Sequence, residues 1–108
     1  MTLAEFASAL DSIPGYSGKV AYKAFPADDP AVPPFVVWYV AYSHNFNADG
    51  VVYAPINHIV VELITKKKDP TEEGKIEAKL AALGLAWEKE ENTLDDENCV
   101  QIIYEMEM

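Results

Sequence analysis

Residues 35 to 42 read FVVWYVAY, the longest wholly apolar run in the chain. A strand with one face in water alternates apolar and polar side chains, whereas Phe35–Tyr42 offers large apolar side chains to both faces. The run therefore predicts an interior strand, covered by helices on one side and needing a second cover on the other. It is far shorter than the roughly 20 residues that a membrane-spanning helix requires, so we expect no contact with a membrane.

The residues before this run predict a helix, a strand and a stiff connection. Thr2-Leu3-Ala4-Glu5 has the form of a capping box, and Pro14-Gly15 indicates the end of the helix. Alternation over Lys19–Phe25 predicts a strand with one face in water. Four of the seven prolines lie between residues 26 and 34, which predicts an exposed connection that cannot join a sheet.

The residues after the run begin with a turn. Ser43–Gly50 is rich in turn-forming residues and contains Asp49-Gly50, so a hairpin turn or a longer loop is expected. Val51–Tyr53 and His58–Thr65 are extended segments on either side of Pro55, and we expect them to form one long, bent strand.

The C-terminal half predicts a second helix and two strands. The helix begins at Pro70 and ends at Leu83, with Gly84 in the position that favours a left-handed residue. Trp87–Glu91 and Cys99–Met108 are the last extended segments, and the second of these alternates. We therefore predict one α+β domain over residues 1–108, with a mostly antiparallel sheet of four to five strands and two helices on one face, in the order α-β-β-β-α-β-β.

Thr65–Glu73 reads TKKKDPTEE and places three lysines together in an acidic chain. The lysines could bind phosphate, but Asp69 is a favoured helix N-cap and Pro70 is favoured at the first helical position. Glu72 and Glu73 then lie where an anion would dock at the helix N-terminus. The stretch favours a strand-to-helix junction over a phosphate site.

Few residues suggest a catalytic or metal-binding role. His44, His58 and Cys99 do not have a recognised metal-ligand spacing, so surface or packing roles are favoured for all three. Cys99 also lacks the spaced histidine and orienting residue of a cysteine nucleophile. The carboxylates of the last two strands are more typical of a solvated surface than of an acid and base pair. We predict no enzyme activity, no metal and no cofactor.

The charge distribution is uneven. The net charge is −10 and the chain has no arginine, which opposes direct binding to nucleic acid. Ala86–Met108 holds eight acidic residues and one lysine. Such a surface repels DNA that passes nearby or meets a basic partner, and solubility explains it equally well. The N-terminus lacks the pattern of a signal peptide, so intracellular synthesis is expected.

The apolar surplus predicts self-association. Two short helices cover about one face of a sheet of this size, and a large exposed apolar patch usually marks a protein interface. We expect interface contacts from seven residues, which are Trp38, Tyr42, Phe46, Asp49, Tyr53, Lys66 and Lys67.

A resemblance rests on short motifs distributed over most of the chain. The motifs are Asn45-Phe46, Ala48-Asp49, Val52-Tyr53, Ile59–Thr65, Lys68-Asp69, Glu73, Ile76-Glu77, Leu80 and Gln101–Glu105. In these features and in its element order, the chain resembles small tail proteins of long-tailed bacteriophages and prophages, in the tail terminator or tail completion group.

The resemblance implies a structural protein of virion assembly. Its α+β protomer would form a homo-oligomeric ring, commonly a hexamer, at the head-proximal end of the tail tube, with DNA passing through the centre. The partners would be tail-tube and head-connector proteins, and the location would be the host bacterial cytoplasm during assembly and then the virion tail. The alternative is a small acidic inhibitor or DNA mimic that binds a basic enzyme.

Overall fold

The computed structural model describes residues 1–43 and 45–108, including their side chains except those of residues 46 and 52–54. The described residues form two helices and seven strands, with five strands between the helices and two after the second helix. They are α1 (Leu3–Asp11), β1 (Val20–Tyr22), β2 (Phe35–Ser43), β3 (Phe46–Ala48), β4 (Val51–Ala54), β5 (Asn57–Thr65), α2 (Pro70–Ala82), β6 (Glu88–Leu94) and β7 (Cys99–Glu107).

Five strands form one mixed sheet in the order β1-β2-β5-β7-β6. β1 runs parallel to β2, and the other three neighbouring pairs are antiparallel. The predicted α+β class is confirmed, but the sheet is not purely antiparallel. A parallel neighbour requires a long connection, and residues 23 to 34 supply it between β1 and β2.

The expected long, bent strand is two strands. β4 ends at Ala54, directly before Pro55, and β5 starts at Asn57. Proline has no backbone N–H to give to a ladder, so the chain leaves one sheet and enters another at this point. β4 pairs with β3 in a separate hairpin, whose turn residues Asp49 and Gly50 both have positive φ, as a tight hairpin requires. The turn predicted at Asp49-Gly50 is confirmed.

Both predicted helix N-termini are confirmed by their hydrogen bonds. The backbone N–H of Glu5 donates to Thr2 Oγ1 (3.1 Å), and the Thr2 N–H donates to Glu5 Oε1 (2.8 Å), which completes the capping box. At the start of α2, the Glu72 N–H donates to Asp69 Oδ1 (3.3 Å), and Pro70 occupies the first helical position.

The core lies between the two helices and one face of the five-stranded sheet. Its buried members are Phe6, Leu10, Ile13, Tyr16, Val36, Trp38, Ile59, Val61, Leu63, Ile76, Leu80, Ile102, Tyr104 and Met106. In β2, Val36 and Trp38 point into this core, so the alternate residues of the same strand point to the opposite face. The core therefore explains only half of the apolar run from Phe35 to Tyr42.

The proline-rich connection covers part of the opposite face, where the sequence predicted an exposed linker. The Phe25 ring packs edge-on against Phe35, with 5.4 Å between the ring centroids. Pro26, Pro30 and Pro33 line a groove together with residues of the sheet. Part of the second cover of β2 thus comes from the chain itself.

Candidate protein-interaction surface

The sheet face that points away from the helices is the candidate interaction surface, and we call it the open face. The strand registers place its residues in rows that run across the sheet. Its members in β2, β5, β7 and β6 are Phe35, Val37, Tyr39, Tyr42, His58, Val60, Glu62, Ile64, Cys99, Gln101, Ile103, Glu105, Glu88, Glu90, Asn92 and Leu94. The face has an apolar end, a polar centre and an acidic side.

The apolar end lies beneath the proline-rich connection. Val37, Ile64 and Cys99 line one side of a groove of about 530 Å³, and the prolines of the connection line the other. Cys99 is only 7% exposed, and its thiol donates to the Glu97 carbonyl oxygen (3.3 Å). Its surroundings are those of a small buried hydrophobe, which agrees with the packing role predicted from the sequence.

The polar centre contains a close pair of side chains. Gln101 Nε2 donates to Glu62 Oε1 (2.6 Å) across neighbouring strands. Tyr39 lies beside this pair, and its pKa is raised by burial and then by the Glu62 carboxylate. Tyr39, Glu62 and Gln101 therefore form one polar group at the centre of the open face.

His58 joins the polar centre to the edge of the open face. Its ring stacks on Tyr42 at 4.6 Å between centroids with 5° between the planes, and its Nε2 lies 3.0 Å from Glu105 Oε1. The His58 side chain is 15% exposed, whereas Tyr42 is 57% exposed. The stacking on His58 orients the exposed Tyr42 ring. Exposed tyrosine rings are common at protein interfaces.

The acidic side of the open face lies on β6 and the adjoining part of β7. Glu88 pairs in register with Glu105, and Glu90 pairs with Ile103. Both β6 glutamates are exposed and form no ion pair with any described residue. Like charges directly opposite each other on neighbouring strands destabilise a sheet. The Glu88–Glu105 pair therefore favours a role for the acidic surface in binding over a role in stability.

On the opposite, helix-covered face, a charged network joins α2 to β6. The Glu73 side chain is 4% exposed and lies 2.8 Å from Lys68 Nζ and 3.2 Å from Lys89 Nζ. Burial alone would raise the pKa of Glu73, but hydrogen bonds from the two lysines lower it below its ordinary value. A carboxylate this buried requires such partners, so the network stabilises the fold.

The network continues through Tyr104. Its hydroxyl donates to Glu77 Oε2 (2.8 Å), and Lys89 Nζ lies 2.9 Å from the same oxygen. Burial raises the pKa of Tyr104, and the Glu77 carboxylate raises it further. The hydrogen bonds that Lys89 donates to Glu77 and Glu73 raise the pKa of Lys89, against the effect of burial. Lys68, Lys89, Glu73, Glu77 and Tyr104 thus form one connected set of ion pairs and hydrogen bonds.

The seven predicted interface residues do not lie together. Trp38 is 5% exposed and packs in the core against Phe6, with 5.3 Å between ring centroids, so its role is packing. Tyr42 lies on the open face, and Asp49 lies in the exposed turn of the β3–β4 hairpin. Lys66 and Lys67 are exposed directly after β5.

The remaining predictions fall on residues that are not fully described. The backbones of Phe46 and Tyr53 lie in the hairpin, but their side chains are outside the described part of the structure. His44, considered as a metal ligand from the sequence, is also outside it. Among the residues that the structure describes, no group of three or more histidine, cysteine or acidic side chains could hold a metal ion.

Sequence reasoning missed the Glu73 network and the grouping of residues on the open face. Glu73 was interpreted through the helix dipole, and Lys89 is 16 residues away along the chain. A signal was present, since Lys89 is the only lysine in an acidic C-terminal region. Its partners depend on the register of β6 against the rest of the sheet, which the sequence does not give.

The chain matches no known family model, and a search of curated proteins gave no match. Within the described residues, the helices are too short or too polar to cross a membrane.

Proposed function

We propose that this protein is a structural tail protein of a long-tailed bacteriophage or prophage. It acts as a tail terminator or completion factor and forms a ring at the head-proximal end of the tail tube. The observation that carries the proposal is the open face, where apolar and acidic side chains lie on a sheet surface without helix cover. A sheet face of this composition is suited to burial against another protein.

The β3–β4 hairpin supports the same role. Its two strands pair with each other outside the five-stranded sheet, and the molecule measures 49 × 28 × 24 Å. A two-stranded hairpin is marginally stable alone, so one that stands outside the main sheet is suited to ordering against a partner. We assign the hairpin, with Asp49 in its turn, to contacts with a neighbouring protomer or a tail-tube subunit.

The charge supports a position beside a DNA channel. A net charge of −10 without arginine lets a ring surround DNA while repelling its phosphates. The partners in this proposal are further copies of the chain, the tail-tube protein and the head connector. The protein acts in the bacterial cytoplasm during assembly and stays in the virion tail.

The direct test uses polymerised tail tubes from a phage that carries this gene. The purified protein is mixed with the tubes and their ends are imaged by electron microscopy. The proposal expects rings at one end of each tube. Binding along the whole tube, or no binding, would contradict it.

One observation favours a second candidate, a small acidic inhibitor of a basic enzyme. Glu62, Glu88, Glu90 and Glu105 lie on one face of the sheet, which makes that face a rigid acidic surface. Such an inhibitor would form a complex whose affinity falls steeply with salt. Capture of a nuclease or another basic enzyme from the host, with loss of that enzyme's activity, would favour this candidate over the tail protein.

A further inference from the structure

The two edges of the five-stranded sheet carry opposite charge. At one edge, β1 is flanked by Lys19 and Lys23, which form no ion pair with any described residue. At the other edge, β6 exposes Glu88 and Glu90. The only lysine of β6, Lys89, is held by Glu73 and Glu77 and does not offset these charges.

The basic edge is also incomplete. β1 pairs only with residues 36 to 38 of β2, but β2 continues to Ser43. The Val40 N–H donates to the Tyr22 hydroxyl (3.3 Å), and beyond this point no described strand lies on the outer side of β2. A notch of about 440 Å³ lies here, lined by Lys23, Tyr39, Val40 and Ala41.

An unpaired strand edge is a template for another strand. The acidic edge supplies one of suitable length, because β6 has seven residues in extended conformation and pairs on one side only. Contact between two copies of β6 would bring Glu88 and Glu90 against the same residues of the partner, which like charge opposes. Contact between opposite edges brings those glutamates to Lys23 instead, because Lys23 follows β1 at the start of the free part of β2.

We propose that β6 of one copy docks beside the free part of β2 in a second copy, with its glutamates against Lys23. Because the contact joins two different surfaces, it is heterologous and generates a ring or a filament. The inference deepens the proposed function, on whose ring it rests, and it names the contact by which that ring closes. The open faces of successive copies then form a continuous surface.

Sedimentation velocity of the purified protein over about a thousandfold range of concentration tests the contact. We expect the native chain to associate and the association to weaken with added NaCl, because the contact depends on charge. The variant Lys23→Glu is expected to associate about fivefold or more weakly. Glu88→Lys with Glu90→Lys should give a similar loss, and the chain with all three changes should regain association.

A matched control has the same change in net charge at another place. Lys79→Glu alters a lysine in the last turn of α2, outside both edges, and is expected to associate as the native chain does. Thermal unfolding followed by circular dichroism confirms that each variant is folded. A monomeric native chain, unchanged association in both edge variants, or loss in the control alone would overturn the proposal.

The tail-tube experiment separates this inference from the proposed function. If the edge variants form rings on tube ends as the native chain does, the edge contact is wrong and the tail function stands. If the charge exchange restores association but the native chain does not bind tubes, the tail function is wrong and the edge contact stands.

Discussion

Glu73 shows how one side chain can determine the contact between a helix and a distant strand. Two lysines from different parts of the chain meet at its carboxylate, one just before α2 and one in β6. A buried carboxylate without partners would be strongly unfavourable, so each lysine is required by the burial of Glu73. The ion pairs therefore fix where the edge strand β6 lies relative to α2.

We expect Glu73→Gln to lower the free energy of unfolding by about 1–3 kcal/mol. This is less than the cost of breaking a fully buried pair, since Lys68 and Lys89 are partly exposed. Urea unfolding at pH 7 measures the change. Glu90→Gln, an exposed carboxylate on β6, is the matched control and should change stability by no more than about 0.5 kcal/mol.

The pH dependence of the same variant gives a second measurement. Because the pKa of Glu73 is lowered in the folded chain, its stabilisation is fully present above the ordinary value of 4.5 and is lost as pH falls through the folded pKa. The difference between the native chain and Glu73→Gln should therefore shrink as the solution is acidified below pH 4.5. A constant difference over this range would contradict the assignment.

At the scale of elements, the start of α2 depends on a single cap. The Asp69 side chain accepts the Glu72 N–H, and the lysines before it are not needed for this bond. Asp69→Ala should cost about 1 kcal/mol of stability, while Asp69→Asn should cost little because asparagine caps a helix equally well. Thermal and urea unfolding of the two variants provide the comparison, and equal losses would show that the cap is not responsible.

The proline-rich connection is a second element whose role can be tested. Phe25→Ala removes the ring that packs on Phe35 and should lower stability by about 1–2 kcal/mol, because the ring is only partly buried. It should also increase binding of an apolar dye by exposing Val37 and Ile64. Val32→Ala, at a highly exposed position of the same connection, should leave both measurements unchanged.

The elements that could be predicted from the sequence are those whose structure depends on neighbouring residues. The two helix caps and the Asp49-Gly50 turn depend on residues next to each other, and these were found from the sequence. β1 was predicted as a longer strand, because alternation over residues 19 to 25 does not show that the backbone turns at Lys23, where φ is 70°. The packing of Phe25 on Phe35 and the meeting of Lys68 and Lys89 at Glu73 depend on tertiary contacts, which no local pattern contains.

At the scale of the whole molecule, charge acts in two opposing ways. A net charge of −10 makes the folded chain repel itself, whereas the contact proposed between sheet edges joins opposite charges. Added NaCl should therefore raise the melting temperature of the monomer and at the same time weaken association. Melting at low protein concentration and sedimentation at high concentration measure the two effects separately. If added NaCl raised both the melting temperature and the extent of association, or lowered both, this assignment of charges would be contradicted.

The position of Cys99 makes the open face accessible to a simple chemical measurement. This residue is the only cysteine and lies in the groove beneath the proline-rich connection. Cys99 is 7% exposed, so a thiol reagent should react with it faster when the connection lifts from the sheet, and the rate of modification reports that movement. The rate should rise in Phe25→Ala and stay at its native value in Val32→Ala, and no cysteine has to be introduced for the measurement.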